Sequence, residues 1–115
     1  MKIEKFEDIL AWQKAKIITL RIYKIFKECS DFGFKNQIQR ASISIMNNIA
    51  EGFERKSDKE LKQYLFIAKG SAGEVRSMLS IAYELKYLSK EDFNELNNLI
   101  LTISKFLANF IKSLD

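Results

Sequence analysis

Several carboxylate side chains lie close together in the sequence where one predicted helix ends and the next begins. Together they could hold a metal ion. Glu51 and Glu54 lie three residues apart on a helical stretch, and Asp58 follows closely. A magnesium-dependent nucleotide hydrolase needs a second acidic pair on a facing helix, because the ion must be held while it bridges phosphates. The next stretch offers only Glu74 and Glu84, ten residues apart. The carboxylates therefore favour a joint between helices, with the hydrolase as the weaker alternative.

Other catalytic chemistries are excluded by residue types that the chain lacks. It has no histidine, so histidine-based zinc sites, Ser-His-Asp triads and Glu-x-x-His di-iron sites cannot be built. Its single cysteine, Cys29, has no internal disulfide partner and no imidazole to activate it. No apolar run is long enough to cross a bilayer and the first residues are polar, so neither a membrane span nor a signal peptide is expected. The single cysteine makes the reducing cytoplasm the expected location. We expect no catalytic residue, no metal and no cofactor.

The segment Gly70-Ser71-Ala72-Gly73 raises the question of a phosphate-binding loop. Such a loop lies between a strand and a helix and carries Gly-Lys followed by Ser or Thr, whereas these glycines fall inside a helical pattern. Tight packing against a neighbouring helix, or a local bend, is the expected role of Gly70 and Gly73.

The basic residues are the strongest candidates for a binding role. The formal net charge is +4, and residues 1–62 carry this excess with 13 Lys and Arg against 9 Asp and Glu. The interval from Ile9 to Lys27 contains five bases and no acid. Bases on a helix face can neutralise nucleic-acid phosphates; an ordinary solvated face is the alternative. The residues predicted to contact phosphate are Lys14, Lys16, Arg21, Lys24, Lys27, Arg55, Lys56, Lys59 and Lys62.

Four helices are needed to position these side chains. Hydrophobic periodicity and capping signals predict them at about residues 8–28, 35–54, 58–87 and 90–112. Gly33 is expected to close the first helix in a left-handed conformation, and Ser57 with Glu60 matches a capping box. Connections this short make neighbouring helices antiparallel. The sequence therefore predicts one all-α domain, an up-down-up-down left-handed four-helix bundle.

The first predicted helix carries more apolar residues than one bundle seam can bury. Ile9, Leu10, Ile17 and Leu20 lie among its bases, away from the face that includes Trp12. We expect these four residues to contact another copy of the chain; an exposed apolar surface is the alternative.

The joint between the second and third helices also has a structural interpretation. Glu51 and Arg55 are four residues apart and can pair, an effect of about 0.2–0.5 kcal/mol. Gly52 lets another segment come close, and the amide of Asn48 is placed to bond to a neighbouring helix. These features predict a connection between helices rather than a catalytic centre.

Several short motifs follow one another along nearly the whole chain. They are Leu10-x-Trp12-x-x-Ala15, Gln37-Ile38-x-Arg40-Ala41-Ser42-x-Ser44-Ile45, Asn48-Ile49-Ala50-Glu51-Gly52, Arg55-x-Ser57-x-x-Glu60 and Ala68-Lys69-Gly70-Ser71. With them the sequence resembles the small four-helix-bundle proteins encoded in intervening sequences of bacterial large-subunit ribosomal RNA genes. The accessory variability protein of diversity-generating retroelements is similar. Gly73 departs from the family pattern, where alanine or another helix former is expected.

The resemblance implies a bundle that assembles as a homopentamer and has no catalytic residues. The retroelement protein binds nucleic acid and a reverse transcriptase through a basic surface. We therefore expect a non-enzymatic nucleic-acid-binding or scaffolding protein, with RNA or DNA and a reverse transcriptase or other protein as candidate partners, and no membrane partner. A protein–protein adaptor that does not bind nucleic acid is the alternative.

Overall fold

The computed structural model describes residues 3–115. Four α-helices account for most of these residues. After a short 3-10 turn at Phe6–Asp8, the helices are α1 (Leu10–Ile25), α2 (Phe32–Phe53), α3 (Asp58–Glu84) and α4 (Lys90–Ser113). No strand occurs between residue 3 and residue 115. The predicted all-α four-helix bundle is confirmed.

Each helix packs against two neighbours around one core. Both α2 and α4 pack against α1 and against α3. In the described part of the chain, no close backbone contact joins α1 to α3, so these two helices lie at opposite corners of the bundle. Each of the four helices therefore has an inner face and an outward face.

The core follows the spacing of three and four residues that a bundle seam requires. On α4, Leu96, Ile100, Ile103 and Leu107 are fully buried. Burying one such side chain contributes about 1.5–3 kcal/mol relative to leaving it exposed. The buried face of α3 alternates larger and smaller side chains: Leu65, Ala68, Ala72, Val75, Leu79 and Ala82. The alanines let neighbouring helices approach the centre of the bundle closely.

Side-chain caps determine where α3 and α4 begin. Ser57 Oγ accepts a hydrogen bond from the backbone N–H of Glu60 at 3.2 Å, and Ser89 Oγ accepts one from Asp92 at 3.0 Å. Each bond satisfies a backbone N–H that has no partner inside its own helix, which typically contributes about 1 kcal/mol.

The connection between α1 and α2 differs from the prediction. Asp31 Oδ1 accepts a hydrogen bond from the backbone N–H of Phe34 at 3.2 Å, so α2 begins at Phe32 and Gly33 lies in its first turn. None of the glycines that the structure describes has a positive φ. The expectation that Gly33 closes α1 was wrong, because the Asp31 carboxylate starts the next helix first.

The left-handed residue is instead Lys86, with a φ of 62°, just beyond α3. Its N–H bonds to the carbonyl of Tyr83 at 3.0 Å, and the N–H of Tyr87 bonds to the carbonyl of Ala82 at 2.8 Å. This pair of bonds is a Schellman motif, which satisfies carbonyls at the helix end. The left-handed conformation strains Lys86, because its Cβ is crowded against the following carbonyl.

The residues predicted as an oligomer contact divide into two groups. Leu10, Ile17 and Leu20 are 58%, 47% and 62% exposed, whereas Ile9 is only 3% exposed. Ile9 precedes α1 in an extended conformation, with φ −75° and ψ 122°. The helical spacing that grouped it with Leu20 does not apply there, so its inclusion in a subunit contact was wrong.

The glycines of α2 and α3 have different surroundings. A Cβ added to Gly52 would lie 2.6 Å from the Cβ of Tyr64, so the close approach of α2 and α3 requires glycine. Gly70 and Gly73 are exposed on an uninterrupted helix, and a Cβ on either would meet no heavy atom within 4 Å. The tight packing expected at Gly70 and Gly73 is therefore absent within the described chain.

Candidate nucleic-acid interface

The outward face of α1 carries the candidate lysines. Buried residues on the opposite face of the helix, Ala15, Ile18 and Ile22 among them, turn this face away from the core. Lys16 and Lys24 are exposed on α1 itself, Lys27 is exposed just beyond its last turn, and Lys14 is half-buried. Within residues 3–115, no carboxylate lies within 4.0 Å of any of these four amines. Their charges remain available to a ligand in solution.

An aromatic contact fixes the surroundings of Lys16. Its Nζ lies 5.7 Å from the centroid of the Trp12 ring, a distance at which the ring face attracts a cation. Trp12 packs edge-on against Phe6, with ring centroids 5.3 Å apart. The structure thus places Trp12 as a support for both the N-terminal turn and the lysine.

Arg21 does not belong to this open surface. Its Nη2 lies 2.6 Å from Glu95 Oε1 and 3.4 Å from Asp92 Oδ1, so it bridges α1 to the first turns of α4. The hydrogen bond with Glu95, more than the charge of Asp92, raises the pKa of Arg21 above its ordinary value. Because two carboxylates already neutralise it, Arg21 is removed from the predicted phosphate contacts.

The bases at the α2–α3 joint are only partly available. Arg55 Nη2 bonds to Tyr64 Oη at 2.5 Å and to Glu51 Oε1 at 3.2 Å, and Lys62 pairs with the Asp115 side chain. These pairings take Arg55 and Lys62 out of the predicted phosphate contacts.

Lys56 and Lys59 remain exposed at the joint, without an ion pair among the described residues. The antiparallel order of the helices places this joint at the end of the bundle opposite the end of α1, where Lys24 and Lys27 lie. The predicted phosphate contacts therefore do not form one surface.

The α2–α3 joint is a packed structural clamp. The Arg55 guanidinium lies 4.9 Å from the centroid of the Tyr64 ring, and Tyr64 Oη donates to Glu51 Oε1 at 3.1 Å. The hydrogen bond to Glu51 is the main cause that raises the pKa of Arg55. The sequence predicted the Glu51–Arg55 pair but not the contribution of Tyr64. Tyr64 lies four residues after Glu60, and nothing at that position in the sequence indicates a contact with Arg55 or Glu51.

Asn48 bonds within its own helix rather than across to a neighbour. Its Nδ2 donates to the Ser44 carbonyl at 2.8 Å and to Ser44 Oγ at 2.9 Å. The bond that crosses from α2 to α3 joins Ser44 Oγ to Ser71 Oγ at 2.9 Å. The predicted cross-helix bond of Asn48 was wrong, and Ser44 makes that connection in its place.

Among residues 3–115, no group of three or more His, Cys, Asp and Glu side chains comes together in a way that could hold a metal ion. None of the helices in the same range combines the length and the apolar character that a bilayer span requires.

The protein is a small four-helix bundle with lysines on the outward face of α1. The 23S rRNA-intervening sequence protein family matches residues 7–109, so the chain belongs to that family. The resemblance drawn from the sequence motifs is thereby confirmed, while the relation to the retroelement protein stays a prediction.

A solved structure has the same fold. It is the crystal structure of a protein of unknown function from the S23 ribosomal protein family of Bacteroides thetaiotaomicron, with a TM-score of 0.84 and 29% sequence identity. The similarity covers 90% of this chain and 99% of that one. No curated protein matches the sequence.

Proposed function

We propose that the protein is a non-enzymatic homo-oligomer, of five copies, that binds nucleic acid through the lysines of α1. The observation that carries the proposal is the acid-free interval from Ile9 to Lys27, whose exposed lysines have no carboxylate partner in residues 3–115. Amines on a helix face attract phosphates without regard to base sequence. The proposal places the protein in the cytoplasm, where its unpaired Cys29 stays reduced.

Assembly strengthens the electrostatic argument. A net charge of +4 on one chain is modest, but a symmetric oligomer repeats it once per subunit and raises the local potential. The exposed Leu10, Ile17 and Leu20 favour assembly, because large apolar side chains on one helix face mark a contact surface. The family description refers to 23S ribosomal RNA, so RNA is the first nucleic acid to test.

The test is the salt dependence of binding to a short labelled single-stranded RNA and to DNA of the same sequence, followed by fluorescence anisotropy. Affinity is expected to fall steeply with salt. Lys16→Glu with Lys27→Glu should lower the slope of log affinity against log salt by about 1.4, from about 0.7 per lost phosphate contact.

The matched control is Lys105→Glu with Lys112→Glu, which makes the same charge change on exposed residues of α4. It should leave most of the slope in place. Equal losses in the two double variants would show that net charge alone matters, and a wild-type protein without salt-sensitive affinity would end the proposal.

A protein–protein adaptor is the second candidate function. The exposed apolar residues of α1 favour it, since they can receive a reverse transcriptase or another protein as well as a second copy of this chain. An adaptor would lose its partner on Ile17→Glu, keep it on Lys16→Glu with Lys27→Glu, and show no salt-sensitive affinity for RNA or DNA.

A further inference from the structure

The outward face of α3 is unusual because its centre is made of small residues. Gly70, Gly73, Ser77 and Ser80 are exposed and recur at spacings of three and four. Glu84 continues the series, and these five residues are here called the α3 groove. Gly73, Ser77 and Ser80 help to line a surface cleft of about 500 Å³.

The glycines of the α3 groove have no packing role among residues 3–115. Neither has a positive φ, and a Cβ on either would meet nothing within 4 Å. A glycine in a helix interior costs about 1 kcal/mol relative to alanine. The two glycines therefore weaken α3, and no contact among residues 3–115 offsets that loss of stability. Small residues lower the surface of a helix and let another backbone approach. Because no contact among residues 3–115 explains these glycines, they point to a helix from outside the chain.

The outward face of α1 has the complementary relief. Leu10, Gln13, Ile17, Leu20 and Lys24 are all exposed and recur at the same spacings. They are here called the α1 ridge. Its large members, Leu10, Ile17 and Leu20, are about half exposed or more. Beside the groove on α3, the exposed apolar side chains Ile67 and Ile81 offer a wall for such a ridge.

We infer that the α1 ridge of one copy packs into the α3 groove of a second copy, parallel to it, with a register offset of sixty residues. The inference rests on the homo-oligomer of the proposed function and specifies which surfaces build it. α1 and α3 lie at opposite corners of one bundle, so they can meet only between copies. The contact uses different surfaces on its two sides, which makes it heterologous and able to close into a ring.

Direction and charge determine the register. In an up-down-up-down bundle α1 and α3 run in the same direction, and rotation about an axis along the bundle keeps them parallel in neighbouring copies. The offset brings the one carboxylate of the groove to the one amine of the ridge. The levels are Leu10 with Gly70, Gln13 with Gly73, Ile17 with Ser77, Leu20 with Ser80, and Lys24 with Glu84.

The register also sorts the lysines. Lys24 lies at the edge of the subunit contact, opposite Glu84, while Lys16 flanks the ridge and Lys27 follows the end of α1. Subunit contact and phosphate contact can therefore share the outward side of α1 without competing for the same side chains.

The experiment uses two variants that each destroy one surface. Ile17→Glu with Leu20→Glu removes the ridge but leaves the groove, and Gly70→Leu with Gly73→Leu fills the groove but leaves the ridge. All four positions are exposed helix positions, so each variant chain should fold, which circular dichroism verifies. Ala108→Leu, on an exposed position of α4, is the matched control for added bulk.

Native mass spectrometry of the full chains gives the readout. Wild type and Ala108→Leu should form the same oligomer, and each double variant should be monomeric. A mixture of the two should form a one-to-one dimer, because one intact ridge meets one intact groove and growth stops there. Glu84→Lys should weaken assembly about fivefold, the upper end for an exposed ion pair, and Lys24→Glu added to it should restore most of the loss.

Other outcomes overturn the inference in separable ways. A groove-filled variant that assembles like wild type would remove the α3 groove from the contact while leaving the proposed oligomer intact. Double variants that stay monomeric when mixed would show a contact that uses one surface twice. A monomeric wild type would end both the inference and the proposed assembly, whereas RNA binding by that monomer, measured in parallel, would leave the lysine surface standing.

Discussion

Arg21 Nη2 lies 2.6 Å from Glu95 Oε1, which ties α1 to α4 across the bundle surface. The two side chains are 31% and 52% exposed, so solvent screens the pair. The pairing engages the charge of Arg21, which the sequence had predicted to contact phosphate. It therefore separates a structural base from the lysines around it.

Replacing Arg21 by Gln should lower stability without lowering RNA affinity. We expect a loss of about 0.5–1 kcal/mol in urea unfolding, because a partly exposed ion pair is worth little more than that. A double-mutant cycle with Glu95→Gln isolates the pair. Loss of RNA affinity in Arg21→Gln, at unchanged assembly, would show that Arg21 contacts phosphate after all.

Gly52 and Gly73 should respond in opposite ways to alanine. Gly52→Ala places a Cβ 2.6 Å from that of Tyr64 and should cost about 1–3 kcal/mol through overpacking. Gly73→Ala meets open space and should stabilise the single chain by about 1 kcal/mol. Urea unfolding in the monomeric Ile17→Glu, Leu20→Glu background compares them. A destabilising Gly73→Ala in that background would contradict the described surroundings of α3.

The left-handed Lys86 predicts a stabilising substitution. Lys86→Gly removes about 1–2 kcal/mol of backbone strain and adds about 0.5–1 kcal/mol of unfolded-chain entropy. A net gain of about 0.5–1 kcal/mol should raise the thermal midpoint. Lys86→Ala keeps the strain and is the control, so an equal gain from alanine would refute the role of the φ of 62°.

Asp31 should make stability depend on acid. The Tyr87 hydroxyl donates to Asp31 Oδ2 at 2.7 Å, and the Phe34 N–H adds a second bond; together they hold the pKa of the carboxyl below its ordinary 3.8. A lowered folded-state pKa gives stability that is present above about pH 4 and lost as the pH falls through the folded value. The same bond raises the pKa of Tyr87, so its contribution is lost only in strong alkali.

The check is the urea midpoint measured from about pH 6 down to about pH 2.5. Asp31→Asn keeps a capping oxygen but cannot be protonated, so its midpoint should fall less steeply over this range than that of the wild type. Tyr87→Phe should show an intermediate slope. Identical acid profiles for all three proteins would exclude this carboxylate as a source of the pH dependence.

The fold was predictable because periodicity and capping are local signals. The spacing on α4 and the Ser57 cap are written within a few residues of each other. Ile9 and Gly33 show the limit, since one lies just before a helix and the other just after a stronger cap. Periodicity alone cannot find the residue at which it stops applying.

The candidate interface was less predictable because ion pairs depend on distant partners. Glu95 lies 74 residues from Arg21, and Asp115 lies 53 residues from Lys62. Neither pairing leaves a local trace in the sequence. The outward position of Gly70 and Gly73 likewise depends on which corner of the bundle α3 occupies, which only the packed structure shows.

Native mass spectrometry of nuclease-treated protein, with and without a short single-stranded RNA, tests the central claim most directly. We predict a homo-oligomer of five copies that carries RNA adducts, which disappear as ammonium acetate concentration rises. A monomer without RNA adducts would contradict it, because the exposed apolar side chains of α1 and its free lysines would then both lack a partner.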